Sequence, residues 1–232
     1  MANRSKRMKE IDKMIDPDKT YSLEEAVRLP KECPPTKFDQ SLNIALKLGV
    51  DVKKSDQQVR GTVFLPHGTG RKTTVLVITR GDKVKEALEA GADFAGSDEY
   101  LDKIKGGWTG FSVLIATPDM MRDIGKLGKV LGPRNLMPTP KAGTVTPDVV
   151  KAVKEAKAGK IEFKVDKTGN INAAVGKLSF EANQLNENII ALLQAIVRAK
   201  PATAKGLFLR SMYVSSTMGP GLKVDLQPLN LA

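Results

Sequence analysis

Val75-Leu76-Val77-Ile78 is an unbroken apolar run set between the polar stretches Arg71-Lys72-Thr73-Thr74 and Thr79-Arg80-Gly81-Asp82. A strand that is apolar at every position has no face to offer water, so this one predicts burial on both sides. Ser112-Val113-Leu114-Ile115-Ala116 repeats the pattern. Helical signals surround the two runs. Asp82 can cap a helix with Val84, Ala87 and Leu88 on one face and Gly91 at its end. Thr117-Pro118 opens a second helix bearing Met121 and Ile124, and Thr146-Pro147 a third bearing Val149, Val150 and Val153 and closed by Gly159. Strands alternating with helices predict a parallel sheet covered on both faces, a three-layer α/β/α domain over residues 67–159.

The flanks read differently. Ser22-Leu23-Glu24-Glu25 is a capping box whose helix Pro30 should stop. Leu42, Ile44, Leu46 and Leu48 alternate with Asn43, Ala45 and Lys47, the period of a half-buried strand. Val63-Phe64-Leu65 is a further short strand. Beyond the middle stretch, residues 161–166 and 171–175 flank Thr168-Gly169-Asn170 as a β-hairpin. A long helix follows with Leu185, Ile189, Leu192 and Ile196 on one stripe, ending before Pro201, and residues 206–216 and 222–226 close as strands. One short helix cannot cover a sheet built from residues 1–66 alone. The economical arrangement joins 1–66 to 160–232 as one discontinuous α+β sandwich, with 67–159 inserted as a second α/β domain. The two crossings, with Pro66, Gly68 and Gly70 on one and Gly159 on the other, would act as a hinge.

Charge narrows the function. Lys and Arg number 37 against 26 Asp and Glu, a net +11 in 232 residues, which points to a polyanionic partner. No apolar run approaches the roughly 18 residues of a spanning helix, and residues 1–13 are basic with no apolar segment after them, so neither membrane insertion nor secretion is expected. The single cysteine, Cys33, and single histidine, His67, exclude an internal disulfide and the common zinc spacings. A reducing compartment, the cytoplasm, fits these counts.

Three motifs bear on chemistry. Gly68-Thr69-Gly70-Arg71-Lys72-Thr73-Thr74 resembles a phosphate loop only superficially, because Arg71 separates Gly70 from Lys72 and the run precedes a strand instead of opening a helix. A second run carries Arg122, Lys126, Lys129, Arg134 and Lys141, interleaved with Gly125, Gly128 and Gly132. It reads either as a solvated loop or as a shaped basic surface for phosphates. Ser211, Ser215, Ser216 and Thr217 precede Met218-Gly219-Pro220-Gly221, either capping a strand end or presenting hydroxyls to RNA sugar edges.

Lys37-Phe38-Asp39-Gln40-Ser41, the long run Gly125-Lys126-Leu127-Gly128-Lys129-Val130-Leu131-Gly132-Pro133-Arg134-Asn135-Leu136-Met137-Pro138, and Ser216-Thr217-Met218-Gly219-Pro220 are similar, in that order, to the family of the first large-subunit ribosomal protein, of bacterial type. The resemblance implies a Rossmann-like inserted domain, no enzymatic activity, no cofactor and no metal. It implies a cytoplasmic monomer within the ribosome. There the first domain binds large-subunit (23S) rRNA in the mobile stalk, assists release of deacylated tRNA from the exit site, and represses translation of its own operon mRNA. Carried over as RNA contacts are Lys37, Phe38, Ser41, Ser179, Ser211, Thr217, Met218 and Gly219, with Lys167, Thr168, Gly169 and Asn170 as neighbours of that face. Lys126, Lys129, Arg134 and Lys141 form a second-domain basic signature that supports binding. The alternative from another class is a nucleotide-dependent enzyme using the middle domain. A DNA-binding regulator is the third reading, with no recognition-helix pattern to favour it.

Overall fold

A computed structural model describes residues 5–16, 19–81, 83–204 and 206–227. The chain divides into two compact units, Met1–Gly70 with Glu162–Ala232, and Arg71–Ile161.

The first unit is built on a five-stranded sheet in the order β1-β10-β9-β2-β8. Its strands are β1 (Thr20–Tyr21), β2 (Ser41–Leu48), β8 (Asn170–Lys177), β9 (Leu209–Ser216) and β10 (Gly221–Val224). β2 lies between β8 and β9, antiparallel to both, and β1 joins β10 in parallel. Leu42, Ile44, Leu46 and Leu48 are buried, as their alternation predicts. They lie under α2 (Leu23–Glu32) and α8 (Ala182–Arg198), helices that pack on this sheet. The α8 stripe of Leu185, Ile189, Leu192 and Ile196 is fully buried, each side chain contributing roughly 1.5–3 kcal/mol. The Ser22–Glu25 capping box forms, with both hydrogen bonds at 3.2 Å. Pro30 does not stop α2. The helix continues to Glu32: Pro30 forfeits its own ladder bond, and Cys33 N–H still reaches the Leu29 carbonyl at 3.2 Å beyond it.

Two expectations need correction here. β7 (Lys160–Lys164) does not form a hairpin with β8. It pairs with β3 (Arg60–Phe64) in a separate two-stranded sheet, while β8 turns away to join β2. The last strands are also shorter and shifted relative to the sequence reading, Leu209–Ser216 and Gly221–Val224. One helix escaped the reading altogether: α1 (Lys6–Met14), whose basic composition masks Ile11, buried with Ile15.

The second unit holds a parallel sheet in the order β5-β4-β6, from β4 (Val75–Ile78), β5 (Phe94–Gly96) and β6 (Val113–Ala116). Val75 and Val77 point into one core with Ala87 of α3 (Lys83–Glu89) and Val149 and Val153 of α7 (Val149–Lys157). Leu76 and Ile78 point into the other, with Leu101 and Ile104 of α4 (Asp98–Lys105) and the residues after β6. Val75-Leu76-Val77-Ile78 is thus buried on both faces, and the unit has three layers. β5 and α4 were not legible, β5 because it has only three residues and α4 because charged side chains outnumber apolar ones among its eight. The expected helix after Thr117-Pro118 is broken into a 3₁₀ turn (Pro118–Met120), α5 (Met121–Gly125) and α6 (Gly128–Leu131). For α7, the side chain of Asp148, and not Thr146, caps the helix by accepting the Lys151 N–H at 3.1 Å. Asp82 lies outside the described residues.

Candidate nucleic-acid interface

The residues singled out in the first unit do not form one cluster. They gather at the two ends of β2, roughly 20 Å apart for a strand of this length.

At the first end, Ser41 begins β2 beside the end of β9. The Ser41 N–H donates to Thr217 Oγ1 at 3.0 Å, and the Thr217 hydroxyl donates back to the Ser41 carbonyl at 3.2 Å. The Thr217 N–H reaches the same carbonyl at 3.1 Å. Met218 N–H donates to Oε1 of the buried Gln40 at 3.0 Å. Lys177 and Ser179 fix Asp39, the ammonium on its carbonyl at 3.0 Å and the hydroxyl on its carboxylate at 2.9 Å. On this frame Phe38 stands 52% exposed and Met218 54% exposed. Lys37, Ser179 and Thr217 are exposed as well, while Ser41 is buried and presents little of its side chain. A Cβ on Gly219 would come within 2.3 Å of Ser216 Oγ, so the constraint visible at this glycine lies inside its own loop.

The second end holds Lys167–Asn170 and Ser211. Lys47 faces both, pairing with Asn170 on one side and Ser211 on the other, and its ammonium donates to the Thr168 carbonyl. Asp166 organises the turn: its Oδ1 accepts from Thr168 N–H at 2.8 Å, Thr168 Oγ1 at 2.6 Å and Asn170 N–H at 2.9 Å. These bonds, the Thr168 hydroxyl foremost, hold the Asp166 carboxyl below the usual carboxylate range. Gly169 needs its left-handed backbone at φ 83° and is buried against Val52, so it shapes the turn instead of offering a surface.

Between the two ends runs the sheet face opposite the helices. Asn43, Ala45, Asn172, Ala174 and Ser215 line a shallow hollow of about 220 Å³ there, with Tyr213 41% exposed nearby on β9. Small side chains keep this face low. Gln40, Lys47, Asp166 and Lys177 were missed by the sequence reading. Only Asp166 left a local signal, an Asp two residues before Thr-Gly-Asn.

In the second unit the signature run divides by side-chain type. Leu127 and Leu131 are buried, and Val130, Leu136 and Met137 pack against the same core. Lys126, Lys129, Arg134 and Lys141 are exposed. Lys126 bonds Asp123 at 2.9 Å, which lowers the pKa of that carboxyl, and Arg134 donates to Thr109 Oγ1. Asn135 turns the chain at φ 55°. Among the described residues no three His, Cys, Asp or Glu side chains come together as a metal site, and no helix is long and apolar enough to cross a membrane.

A model of the ribosomal protein L1p/L10e family matches residues 29–220. The chain belongs to this family. Among its relatives, the large ribosomal subunit protein uL1 of Protochlamydia amoebophila (strain UWE25) is 63% identical over 232 residues, covering 100% of this chain and 98% of that protein. The uL1 of Chlamydia pneumoniae is 59% identical over 229 residues, covering 99% of each. That of Kosmotoga olearia is 56% identical over 227 residues, covering 98% of each. L1p/L10e proteins are structural and not enzymes, which removes the nucleotide-dependent alternative. Both ends of β2, from Phe38 to Met218, fall inside the matched span.

Proposed function

We propose that this chain binds large-subunit (23S) rRNA through its first unit, along the open sheet face and at both ends of β2. The observation that carries the reading is the pair Phe38 and Met218. Each is about half exposed, yet each sits in a loop fixed by hydrogen bonds to residues far away in sequence. Large apolar side chains carried in water on hydrogen-bonded loops suit unstacked bases, and RNA recognition uses such platforms. At the other end of β2 the turn 166–170, Lys47 and Ser211 supply cations and hydroxyls for phosphates and 2′-hydroxyls. The low hollow between them lets a nucleic-acid backbone lie across the sheet. Lys126, Lys129, Arg134 and Lys141 add a phosphate-binding surface on the second unit.

Two finer roles follow from the same surface. Bound to rRNA in the mobile stalk of the ribosome, the chain assists release of deacylated tRNA from the exit site. An operon mRNA that folds to present the same contacts would occupy the face in place of rRNA, and translation of that mRNA would fall. The test is RNA recovered from the protein at moderate salt and sequenced, followed by competition. Recovery of one large-subunit rRNA region, displaced by the operon leader but not by duplex DNA, supports the reading. Equal binding of duplex DNA overturns it.

A further inference from the structure

We propose that Arg7 is a positioning residue for the RNA site, a strut that sets the distance between the loop bearing Phe38 and the loop bearing Met218. The inference rests on the reading that those two side chains meet RNA. Arg7 lies in the first turn of α1, four residues before Ile11, which places both on one face of the helix. Ile11 is fully buried and anchors that face to the unit. From this anchor the guanidinium reaches two carbonyls that are distant in sequence. Nε donates to Pro34 O at 3.0 Å, and Nη1 donates to Met218 O at 2.8 Å across 211 residues. One side chain therefore ties the segment leading into Lys37-Phe38 to the loop that follows Thr217.

Two local costs mark this arginine. The first turn of α1 holds Lys6 and Arg7 and no acidic residue, so cations stand at the end of the helix where the macrodipole disfavours them. The third guanidinium nitrogen, Nη2, is buried and has no hydrogen-bond partner among the described residues. A lysine or a methionine would avoid the unpaired nitrogen, and neither could span two carbonyls with a planar fork. A position that breaks two local rules is one that serves the fold or the site at longer range. Because Nε and Nη1 are engaged by protein carbonyls and Nη2 is buried, the guanidinium acts through the loops and not on RNA phosphate.

The experiment uses the full chain and a transcript of the large-subunit rRNA region that the parent binds. Arg7→Met, Arg7→Lys and Phe38→Ala are compared by affinity, by the salt dependence of affinity, by thermal midpoint, and by hydrogen exchange at the Met218 and Gly219 amides. The proposal expects Arg7→Met and Arg7→Lys each to bind about tenfold more weakly, with an unchanged salt slope. It expects faster exchange at Met218 and Gly219 in both, with the amides of α8 unchanged. Arg7→Lys binding like the parent would show that charge alone suffices and overturn the strut. A salt slope reduced by about one in Arg7→Met but unchanged in Arg7→Lys, with weakened binding in the first alone, would make Arg7 a phosphate contact and overturn it too. If Phe38→Ala weakens binding while both Arg7 variants do not, the strut fails and the site stands. If none of the three affects a parent that binds, the site itself lies elsewhere and both readings fall.

Discussion

Thr217 and Ser41 hold each other through a reciprocal pair of hydrogen bonds, the backbone N–H of Ser41 to the threonine hydroxyl and that hydroxyl to the serine carbonyl. Both of Ser41's backbone groups are thereby met by one residue at the far end of the chain. The hydroxyl of Thr217 is thus engaged within the protein before any RNA arrives. Thr217 is nonetheless exposed, and the neighbouring Met218 is 54% exposed beside it.

Thr217→Val is therefore expected to lower stability as well as affinity. It removes one acceptor and one donor at the start of β2, at a cost of about 1–3 kcal/mol. Thr217→Ser keeps the pair and should unfold near the parent. Urea unfolding of the two variants, beside RNA binding, checks this. A Thr217→Val protein as stable as the parent would show that water replaces the hydroxyl without loss.

Phe38→Ala and Met218→Ala should behave in the opposite way. Both side chains are largely in water, so their loss leaves the core intact and the midpoint within a few degrees. Loss of base contact should weaken RNA binding by about 1–3 kcal/mol at each position. Midpoints that fell with affinity would reassign these residues to packing.

How far the sequence carries can be judged from particular residues. Val75-Leu76-Val77-Ile78 was legible because burial on both faces leaves no polar position in the strand. The α8 stripe was legible because its period is that of a helix. The partner of β7 was not, because a turn of Asp-Lys-Thr-Gly-Asn looks like a hairpin whichever sheet each arm joins. Gln40 and Lys177 were invisible for a different reason: their roles rest on contacts across 178 and 138 residues, and no local pattern encodes these. The same holds for the sorting of RNA candidates to two ends of β2, which only the register of β8 and β9 reveals.

Affinity should fall steeply with salt. If about five phosphates are neutralised, log K against log salt should have a slope between about −3.5 and −4.5. Filter binding across a salt series measures it, and a flat response would remove the electrostatic argument from the +11 charge.

The turn at 166–170 should be acid-sensitive. The Asp166 pKa is lowered in the folded protein, chiefly by the Thr168 hydroxyl. A lowered carboxylate pKa contributes stability that is present above the unfolded value, about 4, and is lost as pH falls through the folded value. Exchange of the Thr168 and Asn170 amides should accelerate below about pH 4 in the parent. Asp166→Asn should show fast exchange already at neutral pH with no such acid step. An acid step retained in Asp166→Asn would assign it to another group.

Asn188 carries a further prediction. Its fully buried amide accepts from His67 N–H at 3.1 Å and donates to Gly68 O at 2.9 Å and Val175 O at 2.8 Å. Asn188→Leu leaves three backbone groups unmet and should cost at least about 2 kcal/mol, read as a lower urea midpoint. Exchange should quicken first at His67. A variant as stable as the parent would mean that residues 67–68 find other partners.

The central place of β2 also dictates when the first unit can exist. During synthesis β2 emerges early, but both strands that flank it, β8 and β9, are encoded from residue 170 onward. Until then its backbone groups have no ladder, while the intervening 71–161 already contains every element of its own sheet. The inserted unit can therefore fold on the nascent chain while its host is still open, and the slow, long-range closure comes last. A truncated translation product would carry Phe38 and no Met218 beside it, so only a finished chain possesses both halves of the surface.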